Sequence, residues 1–203
     1  MQEYISFHGT DKSVANEKIK FSPDNILITT YRSEVEKGIK YRNQKSKSKP
    51  KPPGSLGYGF YTFVYSEQIA KGFISRQTIE YKIIEVHSKF EEDQILDLNV
   101  QEVREKFHVF RSEFIKHSEH ILKLFGTPSN NYKQHVMDGI VIEMFIDKLF
   151  KNEQKSIKAV LAWTYTPCDE QSENIKFVSF IPNGLELCIR DKKQITRLKE
   201  GDV

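Results

Sequence analysis

Three short stretches of this sequence hold residues suited to chemistry on a flat ligand. Phe7-His8-Gly9-Thr10 sets an imidazole, able to donate or accept a hydrogen bond near neutral pH, beside a glycine that lets backbone approach a ligand closely. Gly57-Tyr58-Gly59-Phe60-Tyr61 has two glycines one residue apart before an aromatic, which suggests tight backbone beside a stacking ring. Asn183-Gly184-Leu185-Glu186 brings a carboxylate in after a turn among apolar neighbours, where it is either solvated or held in a cleft for a purpose. Each stretch also has a plain structural reading: a structural histidine, a glycine-softened turn with core aromatics, a solvated glutamate. Glu143 is the rival carboxylate. It also follows an apolar stretch and is read as a helix-face residue.

Taken in order, the three stretches resemble the His-Tyr-Glu signature of the poly(ADP-ribose) polymerase-like ADP-ribosyltransferases, including compact bacterial toxin and defence members. The likeness extends to Ala70, nine residues after Tyr61, and to Asp191, Gln194 and Ile195, five, eight and nine residues after Glu186. It covers the N-terminal third and the last thirty residues. It implies two small β-sheets forming an NAD cleft, on which His8, Tyr61 and Glu186 converge. NAD is then a substrate, with no metal. His8 holds a ribose hydroxyl, the Gly9 backbone pairs with the nicotinamide amide, and Thr10 lies alongside. Tyr61 stacks on the nicotinamide ring, and Glu186 stabilises the oxocarbenium-like sugar as nicotinamide leaves. Two departures stand out. Where the family often has a second aromatic, this chain has Gly72, with Phe73 beside it as the substitute. Arginine-modifying relatives carry Glu or Gln two residues before the catalytic glutamate, and Gly184 here argues against arginine as acceptor.

The elements that must position these residues read as an α+β domain, with strands at both ends and helices between. A strand over 4–10 ends in a turn at Gly9, and a short helix spans 33–41. Residues 66–76 read as a helix and 78–86 as an alternating strand. The strongest helix runs over 99–125, capped by Asn99 with Glu102 at the capping-box position and closed by Gly126 and Pro128. Residues 140–151 form a second helix, with a strand at 139–142 as the alternative. Residues 159–165, 175–181 and 185–189 are short β-type runs. The chain reads as one domain over 1–203, with a helical insertion at 91–155.

Residues 43–54 are a flexible basic loop. Lys45, Lys47, Lys49 and Lys51 alternate with Ser and Pro, and Pro50, Pro52 and Pro53 forbid a helix. The arm either is merely solvated, contacts the phosphates of NAD, or guides RNA or DNA through phosphate contacts. With 31 basic against 28 acidic residues, the net charge of +3 does not by itself mark a nucleic-acid binder. Nucleic acid leads protein slightly as the acceptor. The alternatives are an NAD glycohydrolase, in which water takes the acceptor's place, and an inactive ADP-ribose-binding module. Two cysteines, Cys168 and Cys188, suggest a reducing, cytoplasmic setting and no structural zinc. No apolar run reaches membrane-spanning length, and the N-terminus lacks a secretory pattern. A toxin of this kind calls for a neutralising antitoxin protein.

Overall fold

Alternation along the strands sorts the apolar residues onto two sides of one sheet. Phe60, Ile84, Val86, Leu161, Leu187 and Ile189 face one side, where Ala15, Ile19 and Ile26 cover them. Val160 and Cys188 face the other, as do Phe63 and Ile83. The computed structural model describes residues 1–117, 134–166, 179 and 181–201. Its strands are β1 (Gln2–Asp11), β2 (Phe60–Val64), β3 (Tyr81–Phe90), β4 (Ile95–Asp97), β5 (Ala159–Thr164), β6 (Gly184–Ile189) and β7 (Ile195–Glu200). They form one seven-stranded sheet in the order β4-β5-β6-β2-β1-β3-β7, antiparallel except for β4 beside β5.

Among the described residues there are four α-helices, and all but the first pack on the Val160 and Phe63 side of the sheet. They are α1 (Tyr31–Arg42), α2 (Glu67–Ser75), α3 (Gln101–His117) and α4 (Gln134–Glu153). The Thr30 hydroxyl and Ser33 form a capping box for α1, and the Ser66 hydroxyl accepts from Ile69 N–H to start α2. Helices α3 and α4 meet through Phe107, Phe110 and Phe145, with Phe110 and Phe145 ring centroids 5.3 Å apart. The chain is thus α+β, with a mixed sheet.

Several expectations change. The two separate sheets are one hydrogen-bonded sheet with a weak seam: β1 and β2 pair only at Ser6↔Val64 and Phe7↔Phe63, whereas β1 and β3 pair from Gln2 to Asp11. Gly9 does not end its strand, because β3 carries the ladder on to Asp11. Asn99 does not cap α3: its amide oxygen accepts Trp163 N–H (2.8 Å) and its NH₂ bonds Asp97. Residues 140–151 are helical. The insertion at 91–155 is not purely helical, since β4 adds a strand to the sheet. The expected helix beyond His117, with its closing Gly126 and Pro128, and the run before Ser179 lie outside the described residues, as does Cys168.

Candidate active site

The site grows from the seam between β1 and β2. Residues Phe7, Phe63 and Glu186 stand in one row across β1, β2 and β6, and Tyr61 pairs with Cys188 two positions along. Side chains alternate along a strand, so Tyr61 and Glu186 project from the same, helix-bearing face. The paired register of β1 and β2 stops at Phe7↔Phe63; two pairs further would have joined Gly9 to Tyr61. Alternation turns the Gly9 N–H and C=O toward that opening.

A side chain replaces the missing ladder bond. The His8 ring Nδ1 donates to the Tyr61 carbonyl at 2.7 Å, and the ring lies 4.3 Å from that of Phe60. A carbonyl only accepts, so Nδ1 carries the proton and Nε2 of the neutral ring is left as an acceptor. Burial lowers the His8 pKa, partly opposed by the carbonyl bond, which favours that neutral form. By strand alternation His8 starts from the face of Phe60, opposite Glu186. It therefore does not converge with Tyr61 and Glu186 as a third side chain on one face; its bond across the seam goes to the Tyr61 backbone carbonyl.

Gly9 is required by packing. A Cβ there would lie 2.6 Å from the Ala70 carbonyl oxygen and 2.8 Å from Ile74 Cβ, so α2 can sit against β1 only if position 9 has no side chain. Ala70, fully buried, is the helix's side of the same close approach. Thr10 is buried in β1. Phe73 stands on α2 with its ring 6.2 Å from that of Phe63 and remains 41% exposed, so it lies at the rim of the face that carries Glu186.

Glu186 is half-buried and held by two hydroxyls. Ser55 donates to Oε2 (3.1 Å) and Thr166 to Oε1 (3.3 Å). Thr166 is fixed by Asn183, whose amide oxygen accepts Thr166 N–H and whose NH₂ donates to its carbonyl. Burial raises the Glu186 pKa above the usual carboxylate range, and the hydroxyl donors only partly offset this. Tyr61 is fixed at its hydroxyl, which accepts Leu56 N–H (2.8 Å) and donates to the Gly57 carbonyl (2.7 Å). Burial pushes the Tyr61 phenol far above its normal range, so it stays neutral. The Cys188 thiol beside it, pushed up to about 12 by burial, is an unreactive core group.

No protein-family model, curated protein or solved structure matches this chain.

The offsets after Glu186 have local structural work. The Asp191 carboxylate accepts Lys193 N–H and pairs with Lys158 (3.0 Å), shaping the turn of Lys192–Gln194 into β7, whose first residue Ile195 is buried. Glu143 lies on α4 but is 3% exposed, not on a solvated face, and forms a two-pronged pair with Arg190. Lys45, Lys47, Lys49 and Lys51 are exposed, with Lys49 Nζ 5.9 Å from the Tyr41 ring centroid. The loop is not free throughout: from Lys51, whose N–H bonds Glu34, the backbone is tied to the body. Sequence reasoning missed Ser55, Thr166 and Arg190. Only Arg190 left a signal, since a carboxylate as apolar in context as Glu143 needs a cation. No group of His, Cys, Asp and Glu able to hold a metal occurs among the described residues. No helix among them is long and apolar enough to cross a membrane.

Proposed function

We propose that this chain is an NAD-consuming ADP-ribosyltransferase that releases nicotinamide and transfers ADP-ribose to a macromolecular acceptor, nucleic acid ahead of protein. What carries the reading is that Tyr61 and Glu186 share one sheet face beside the open seam at Gly9. In the reaction the bond from C1′ of the ribose to the nicotinamide nitrogen breaks, its electron pair leaves on nicotinamide, and positive charge moves onto the sugar. A carboxylate held in place by Ser55 and Thr166 favours that charge more than the ground state. The acceptor's nucleophile then bonds C1′ and gives up its proton. His8 Nε2 accepts a ribose hydroxyl, the Gly9 N–H and C=O serve the carboxamide, and Tyr61 offers its ring, with Phe73 at the rim.

Phosphate-bearing acceptors suit the lysine arm and the net charge of +3. The reading makes the protein a cytoplasmic toxin or antiviral effector, restrained by a neutralising protein. Labelled NAD, incubated with separate protein, RNA and DNA pools, tests it. Nicotinamide should appear and label should enter nucleic acid, and Glu186→Gln should lower turnover on the order of 100-fold or more. Release without label in any pool means an NAD hydrolase. No release, or an undiminished Glu186→Gln, overturns the reading.

A further inference from the structure

A buried ion pair remote from the proposed chemistry reaches both of its main side chains through one turn. Glu143 of α4 and Arg190, the residue after β6, bond through both carboxylate oxygens, with Arg190 Nη2 2.9 Å from Oε2. Together they hold the backbone of Tyr58 on both sides. Tyr58 N–H donates to Glu143 Oε1 (2.6 Å), and Arg190 Nη1 donates to the Tyr58 carbonyl (3.3 Å). The neighbouring Gly57 has a φ of +91°, a left-handed conformation, and a Cβ there would collide with the Glu143 carboxylate. The turn is closed by mutual backbone bonds between Gly54 and Gly57 at 3.2 Å.

That turn does two things for the site. Leu56 N–H and the Gly57 carbonyl fix the Tyr61 hydroxyl, and Ser55 donates to Glu186. The pair costs desolvation of two charges, which an apolar pair of similar size would avoid. Burial alone would lower the Arg190 pKa; contact with Glu143 more than offsets it, so the guanidinium remains charged. A neutral pair would pack, but it would not hold an N–H and a carbonyl of the same residue.

We propose that Glu143 and Arg190 are positioning residues of the active site: they clamp the Gly54–Tyr58 turn and thereby set the Tyr61 ring and the Glu186 carboxylate. The catalytic half of this inference rests on the NAD reading above. The mechanical half does not.

The test compares the wild-type protein with the double variant Glu143→Leu/Arg190→Leu, which removes the clamp without leaving a lone buried charge. Amide hydrogen exchange at Leu56 and Tyr58 reads the turn, and nicotinamide release reads the site. Exchange at both amides should accelerate, and kcat should fall on the order of 100-fold, as expected when reacting groups shift by about an ångström. Leu198→Ala, a cavity in the separate core cluster that contains Ile84 and Val86, should lower stability without either effect. If the double variant does not fold, Arg190→Lys replaces it: an ammonium lacks the planar fork whose two nitrogens bond both Glu143 oxygens while one of them also reaches the Tyr58 carbonyl, and the same two changes should follow. Unchanged exchange overturns the clamp, and faster exchange with undiminished kcat overturns its role in positioning. A wild-type protein that releases no nicotinamide sinks the NAD reading, while the exchange rates still decide whether the pair holds the turn.

Discussion

Glu186 carries a local energetic cost that the proposed reaction would use. Its carboxylate is half-buried among Ser55, Thr166 and apolar strand neighbours, and burial raises its pKa. A raised folded-state pKa means that the native protein binds this proton more tightly than the unfolded chain does. The associated stability is full below the ordinary carboxylate pKa and is lost as pH rises through the folded value. Glu186→Gln keeps the shape and can still bond both hydroxyls, so it should raise the melting temperature at pH 7. The gain should vanish below about pH 4, where glutamate is protonated in both states. Thermal melts of both proteins across pH check this, and a Gln variant that is less stable at pH 7 would place the carboxylate in a purely structural role. At this scale Glu186 drew attention in sequence through its spacing to Asp191, Gln194 and Ile195. Ser55 and Thr166 did not: each is an ordinary hydroxyl, brought to the carboxylate by a turn and by the Asn183 side chain from 131 and 20 residues away.

The elements were legible where their period was intact and hidden where packing changed it. Helix α2 was read within a residue or two because its apolar positions and Ser66 cap agree. Strand β7 was not read, since its buried residues, Ile195 and Leu198, are three apart. The ladder with β3 shifts register between His87 and Ser88, which breaks the alternation that marks a strand. Strand β4 has only three residues, too few for a period to show. The contact between β1 and α2 is where an element-level prediction belongs. Gly9→Ala adds a Cβ within 2.6 Å of the Ala70 carbonyl oxygen and 2.8 Å of Ile74 Cβ, and neither is the end of a flexible side chain. The helix must move off the strand, and denaturant unfolding should register a loss of about 1–3 kcal/mol. An unchanged midpoint would mean that α2 is free to shift, and that Gly9 is there for its backbone alone.

Across the whole molecule, the sheet brings residues from both ends of the sequence to one seam, while the basic arm leaves the body between α1 and the anchored turn. The seam itself could not be read from sequence, because nothing in Ser6-Phe7-His8-Gly9 says that pairing with β2 stops after Phe7 while pairing with β3 continues. The arm could. Its lysines are exposed, and its far end is tied where Lys51 N–H meets Glu34 and the Lys51 carbonyl accepts the Tyr58 hydroxyl. An arm fixed next to the turn over Glu186 cannot wander far from that residue, so on the proposed reading phosphates bound along it would bring their strand toward the site. Replacing Lys45, Lys47, Lys49 and Lys51 with Gln should weaken modification of RNA or DNA. Each lost phosphate contact on a single strand should also flatten the dependence of log affinity on log salt by about 0.7. Nicotinamide release without acceptor is the internal control, because the substitutions leave the Lys51 backbone bonds intact. If release falls in step with modification, the arm contacts the phosphates of NAD instead. If neither changes, the four charges only keep the arm solvated, and the acceptor must be sought on another surface.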